Sequence, residues 1–323
     1  MTNVYIASCD KDGGIYRFEL SASGELRYLD VTPVKTPSYF VVSDGCLHTT
    51  LRAPFSNSGY SAYTSFAITD GGALGERSEI LPSDGISACH LSVVDGVVYL
   101  TNYMTGSIKR MPDKLINRVG SGANKERQEC AHPHCIIPTP DGKFLAATDL
   151  GCDTVSIYDK NLNEIFSVKA GDGYGPRHIT FSPDGELAYV INELTALVTV
   201  YRYDKEAVKL VKLADCSARR GSFVGKFNGE GAGSAIRCCG EYLYTALRED
   251  NIITCYRRVG ERLEYLYSES CGGDHPRDFN VFGDVLISAN MVSNNVSVFK
   301  IVAGKGLEKI QDIEIKTPTC IAF

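Results

Sequence analysis

Five residues between positions 134 and 277 bring together an imidazole, a carboxylate and three guanidinium groups: His134, Arg177, Glu193, Arg248 and Arg277. Arginine grips phosphate or carboxylate through paired N–H groups, and a Glu with a His can divide acid and base work. Together they suit an anionic substrate, provided some frame brings them to one place. Their neighbours reveal that frame. His134, Arg177 and Arg277 each follow a proline that opens a short apolar run, and the residues after the same landmark elsewhere are Ser38, Ala88, Ser234 and Thr319. A position set by packing alone would be apolar in every copy, because half-buried charge costs several kcal/mol unless it is paired or used. Glu193 and Arg248 belong to a second series, eight residues after the turn glycines Gly185 and Gly240, with Tyr103 and Met291 at the shortened equivalents. The residues just before this position, Asn102, Asp149, Asn192 and Asn290, have the types that cap turns.

The landmark recurs at Pro37, Ser87, Pro133, Pro176, Gly233, Pro276 and Pro318, with gaps of 42 to 57 residues. That period matches one four-stranded blade. Asp-Gly pairs at Asp44, Asp95, Asp141 and Asp184 follow the first run and supply tight hairpin turns. Second strands are predicted over 97–101, 144–148, 187–191, 242–246 and 285–289, and third strands over 154–158, 197–201, 251–256 and 295–299. All are short, β-branched or aromatic, and evenly spaced. No stretch sustains a helical period. The chain stops at Pro318-Thr-Cys-Ile-Ala-Phe323 without the second strand that should follow, and a matching partner, Val4-Tyr-Ile-Ala7, stands at the other end. One repeat is thus split between the termini. The expectation is an all-β, seven-bladed β-propeller over residues 1–323, a single domain whose ring closes by pairing of the N- and C-terminal strands in one blade.

The net charge of −6 is spread along the chain, which excludes the clustered basic footprint of a nucleic-acid binder. Arg219-Arg220 reads as a solvated loop. The start of the chain lacks a signal-peptide pattern, and no apolar run is long enough for a membrane span. A cytoplasmic protein with reduced thiols is expected. The twelve cysteines read mainly as small core fillers, and Cys238 and Cys239 fall on opposite strand faces. Tryptophan is absent, unlike in WD-type blades. Cys130, His132, His134 and Cys135 crowd four candidate metal ligands into six residues, but zinc favours spaced pairs and Pro133 stiffens the segment, so no metal and no cofactor are expected. The glycine-rich stretch 219–233 lacks P-loop spacing, since Phe follows Lys226. It reads as an extended surface loop, or as a flap bringing Arg220 or Lys226 to an anionic ligand. A closed ring has no obligatory partner edge, so a monomer is expected.

On His132-Pro-His134, Pro140-Asp-Gly142, Asp149-Leu-Gly151 with Asp153 and Tyr158, Gly175-Pro-Arg-His178, Asn192-Glu-Leu194 and Pro276-Arg-Asp-Phe279, the chain resembles the seven-bladed lactonase family. That family includes propeller-type bacterial 6-phosphogluconolactonases and fungal 3-carboxy-cis,cis-muconate lactonizing enzymes. The resemblance implies a metal-independent site of His134, Arg177, Glu193 and Arg248. His132, His178, Tyr103, Arg237 and Arg277 are expected around the substrate, with His132 at the entrance. The implied activity is hydrolysis of an anionic sugar lactone, 6-phosphogluconolactone first, as in the pentose phosphate pathway. The alternatives are a muconate-type cycloisomerase and a non-enzymatic binding scaffold. The residues leave open whether Glu193 or His134 is the general base. One departure stands out: Ser234-Ala-Ile236 carries Ala235 where the family often has an acid.

Overall fold

The computed structural model describes residues 2–55, 59–219 and 232–323. The stretch 220–231, with Arg220 and Lys226, lies outside the described residues. Seven antiparallel sheets form a closed ring of blades. Their innermost strands are Pro37–Ser43, Ala88–Val94, Pro133–Pro138, Pro176–Phe181, Gly233–Cys239, Pro276–Phe282 and Pro318–Ala322, which define blades 1 to 7. Each packs against the next, and the last packs against the first. Blade 7 is the split one: Pro318–Ala322 pairs with Thr2–Ser8, with Ile321 opposite Ile6, and Gly14–Leu20 and Leu26–Pro33 complete the sheet. In blade 1 the outer edge is broken, and Leu74–Arg77 and Leu81–Pro82 both pair with Ala62–Ile68.

Hydrophobic patterning explains the layering. Second strands such as Leu187–Asn192 are buried at every position, because both faces are covered by neighbouring blades and the run is apolar up to its terminal, hydrogen-bonded Asn192. Outer strands such as Gly306–Glu314 are largely exposed and rich in charged residues. The core consists of seven wedges, one at each blade interface. The wedge between blades 6 and 7 joins Val4, Ile6, Ile287, Val298 and Ile321, so the two chain ends share one core.

Turn chemistry sets the hairpins in two ways. At Asp44-Gly45 and Asp95-Gly96 both residues have positive φ, as a two-residue hairpin loop requires. At Asp141 and Asp184 only the following glycine is left-handed, and the carboxylate instead accepts the N–H two residues on, from Lys143 at 3.1 Å and Glu186 at 3.0 Å.

A shared device opens every blade. The N–H of Cys9, Arg52, Tyr103, Leu150, Glu193, Arg248 and Met291 donates to the carbonyl of Thr317, Thr36, Ser87, His132, Gly175, Ala232 and His275 respectively, over 2.7–3.1 Å. Thr36, Ser87, Gly175, His275 and Thr317 have positive φ. The pairing register then slips at the start of each innermost strand. This bulge turns the residue after the landmark out of the ladder. The register corrects one alignment: the blade 2 landmark is Ala88, opposite Asn102, and the residue after it is Cys89, not Ala88. Ser87 drops out because its left-handed backbone makes it the residue before the landmark.

Candidate active site

Both residue series converge at one mouth of the axial channel. Ser38, Cys89, Arg177, Arg277 and Thr319, all following landmarks, line one cavity together with Arg52 of the second series. Beside it Glu193, buried at 3 % exposure, is the hub. Its Oε2 lies 3.1 Å from Arg177 Nε and 2.9 Å from Arg248 Nη2, and its Oε1 accepts from Arg127 Nη2 at 2.5 Å. Arg177 Nε pairs with the carboxylate off the hydrogen-bonding direction. Nη1 of Arg177 donates to the Ser234 carbonyl and to His178 Nε2 at 3.0 Å, so His178 is an acceptor there. Arg248 Nε reaches the Ala232 carbonyl at 3.3 Å.

The local chain explains this geometry. Asp153 accepts the N–H groups of Gly173 and Gly175 at 2.7 and 2.8 Å, which fixes the loop leading into Arg177. Gly175 has φ +64°, and a Cβ there would sit 2.6 Å from Leu194 Cγ. The same Asp153 accepts from Gln128 Nε2 at 2.6 Å, which anchors the arm carrying Arg127. Asn102, Asn192 and Asn290 do cap turns: Asn192 Nδ2, for example, donates to Leu197 O and Thr199 Oγ1 at 2.9 Å.

The electrostatics follow from burial among like charges. Burial alone would raise the Glu193 pKa, but Arg248, Arg177 and Arg127 outweigh it and hold the carboxylate well below its usual range. Burial, and then Arg177, push His134 well below the usual histidine value, with Glu193 opposing. His134 is therefore neutral at pH 7. Its Nδ1 is buried with no hydrogen-bond partner among the described residues, and its ring meets Tyr103 and His178 edge-on at 5.7 and 5.3 Å. Arg277 has no ion-pair or hydrogen-bond partner among the described residues. Burial, Arg177, Arg248 and Arg52 lower its pKa to about 9, and burial first, then Arg248, lowers Arg177 to about 10. Five guanidinium groups, from Arg52, Arg127, Arg177, Arg248 and Arg277, thus share this region with two carboxylates, Glu193 and the Asp278 already paired with Arg237. Such an excess is costly in an empty cavity and favourable around an anion.

Of the nine residues expected at the site, His134, Arg177, Glu193, Arg248 and His178 form one contiguous cluster with Arg277 and Tyr103 on its border. His132 stands behind Tyr103, stacked on its ring at 4.4 Å. Arg237 is not brought to Glu193. It pairs with Asp278 Oδ1 at 2.7 Å in a second layer with Tyr39 and His90, where Tyr39 and His90 stack at 4.2 Å. His178 bridges the layers, edge-on to His90 at 5.5 Å.

Sequence reasoning missed Arg52, Arg127, His90 and Asp278. Arg52 shares the ring position of Glu193 and Arg248, and its backbone bond to Thr36 shows this. His90 and Asp278 share the position of His178, two after each landmark. Arg127 lies in an irregular connection outside the repeat, so no periodic signal could have found it.

A propeller with an arginine-rich, carboxylate-centred mouth defines a class, and comparison with known proteins gives the family. The model of the lactonase, 7-bladed β-propeller family matches residues 3–323. The chain belongs to the seven-bladed β-propeller lactonase family. It is 32 % identical over 311 residues to the uncharacterised protein YwcC of Lactococcus lactis, covering 88 % of this chain and 87 % of that one. A provisionally named 6-phosphogluconolactonase from Bacteroides fragilis superposes with a TM-score of 0.87 at 27 % identity, over 99 % of this chain and 96 % of the other. Another, from Bacteroides uniformis, gives 0.89 at 26 %, over 99 % and 98 %.

Proposed function

We propose that the protein hydrolyses an anionic sugar lactone, with 6-phosphogluconolactone the first candidate. Membership of the lactonase family and likeness to provisionally named 6-phosphogluconolactonases support the reaction class. The observation that carries the anionic substrate is that two cations with no ion-pair partner among the described residues, Arg277 and Arg52, line one cavity with Arg177 of the Glu193 cluster.

The roles divide by charge state. Glu193, clasped by three guanidinium groups and held ionised, is a poor proton acceptor near neutrality. It orients Arg177 and Arg248. His134, neutral and with an unpartnered ring nitrogen, is the general base. It takes a proton from water as the water oxygen bonds to the lactone carbonyl carbon. The carbonyl oxygen becomes an oxyanion beside Arg177 and Arg248, a preorganised contact of the kind worth roughly 3–4 kcal/mol in other hydrolases. The ring C–O bond then breaks, the leaving oxygen takes the proton back from the imidazolium to become an alcohol, and the new carboxylic acid releases its remaining proton to solvent as it becomes a carboxylate. Arg277 and Arg52 hold the phosphate or carboxylate tail.

The test is hydrolysis of freshly prepared 6-phosphogluconolactone beside uncharged gluconolactone, with His134→Gln as comparison. Acceleration of the phosphorylated lactone that is lost in the variant is expected. No acceleration of any anionic lactone over the spontaneous rate overturns the reading. The same cation excess also suits closure of a carboxylated muconate, so turnover of that diacid without lactone hydrolysis would move the assignment to the cycloisomerase.

A further inference from the structure

The short segment before the innermost strand of blade 3 carries a second chemical group, independent of the hydrolase reading. His132 is 2 % exposed. Its Nδ1 lies 2.8 Å from the carbonyl oxygen of Tyr103, and its ring lies flat on the Tyr103 ring, 9° from parallel. A carbonyl can only accept, so Nδ1 carries the proton and the tautomer is set. In the neutral ring Nε2 is then a bare lone pair. It faces Glu129 Oε1 at 3.2 Å and Cys130 Sγ at 3.8 Å, and these two are 3.9 Å apart. A carboxylate oxygen, a sulfur and an imidazole nitrogen thus converge from three positions of a four-residue stretch.

The triangle has the dimensions of a coordination face. With zinc bonds of about 2.0–2.1 Å to nitrogen or oxygen and about 2.3 Å to sulfur, a tetrahedral site has N···O edges of about 3.3 Å and edges to sulfur of about 3.6 Å. The three observed edges depart from these by no more than about 0.4 Å. The Tyr103 carbonyl on Nδ1 is the outer-shell partner that metal-bound histidines use to fix ring orientation. A thiolate beside an imidazole selects zinc over magnesium or calcium. We propose that Glu129, Cys130 and His132 form a three-ligand zinc site at the channel rim, with the fourth position open to water.

Only half of the metal-like cluster in the sequence takes part. His134 points to the channel, and Cys135 Sγ lies 3.3 Å from His90 Nε2. Glu129 supplies the third ligand that the Cys-His pattern lacks. The site also sits two residues from Arg127, which reaches Glu193. Metal binding would therefore stiffen the arm that delivers this guanidinium.

The experiment is a zinc titration of the reduced, full-length protein against a chromogenic chelator, with cobalt(II) as a spectroscopic substitute. One equivalent should bind, and cobalt should give a thiolate charge-transfer band with strong four-coordinate ligand-field absorption. Cys130→Ser and Glu129→Gln, both at exposed residues, should weaken zinc at least tenfold. Cys130→Ser should also remove the charge-transfer band, whereas Cys216→Ser should change neither signal. Absence of stoichiometric binding would overturn the site. Unchanged affinity and absorption in Cys130→Ser would do the same, by assigning the metal to other cysteines.

Discussion

At the scale of single residues, the channel mouth separates groups that are held from groups that wait. Arg127, Arg177 and Arg248 are held by Glu193; Arg277 is not held by anything described. Arg277→Ala should raise KM for a phosphorylated lactone about tenfold or more with a much smaller change in kcat, and leave an uncharged lactone nearly unaffected. Steady-state kinetics on the two substrates would check this. Arg277→Met should also stabilise the fold by about 1 kcal/mol in urea melts, because it removes an uncompensated cation. Loss of stability would show an unrecognised partner.

With His134 as the proposed base, its surroundings predict the pH dependence. Its folded pKa is lowered by burial and Arg177, so in the free enzyme the base stays unprotonated down through the ordinary histidine range. The profile of kcat/KM should be flat there and fall only at more acid pH. A bound anion offsets Arg177 and Arg277 and raises the same pKa, so the acid limb of kcat should lie at higher pH than that of kcat/KM. Glu193 has the opposite linkage. Its depressed pKa adds stability above the unfolded carboxylate value, lost as pH falls through the folded one. Glu193→Gln should therefore cost about 3–5 kcal/mol at neutral pH, as for other broken buried pairs, and the gap from wild type should shrink in acid denaturation series.

At the scale of elements, the bulge before each innermost strand is what turns a β-ladder into a ring of inward side chains. Gly175 is its tightest instance, left-handed and with no room for a Cβ against Leu194. Gly175→Ala should cost about 1–3 kcal/mol and displace Arg177, so activity should fall even at temperatures where the variant is folded. A thermal melt combined with kinetics below the transition would separate the two effects.

At the scale of the whole molecule, closure joins the two chain ends through one ladder and two core wedges. Ile321, 2 % exposed between blades 6 and 7, carries part of that seam. Ile321→Ala should cost about 2–5 kcal/mol in urea unfolding. Removal of 318–323 bares the edge of Thr2–Ser8 and should yield aggregate in size-exclusion chromatography, since an open strand edge recruits other chains.

Much of this molecule was legible in its residues because a propeller repeats. Period, Asp-Gly turns and the split of one blade between the termini are local or arithmetic features, and they carried the blade count, the closure and most second and third strands. The same repeat placed His134, Arg177, Glu193 and Arg248 at equivalent stations. It failed where the signal is not periodic. Ser87 and Ala88 were shifted by one, because only backbone hydrogen bonding reveals which residue is left-handed. Arg237 shares the strand pattern but meets Asp278 across a blade boundary, and Arg127 enters from an irregular connection. Which charges neutralise each other, and which are left for a ligand, depends on distances of a few ångströms between residues tens of positions apart. Only the closed ring sets those distances.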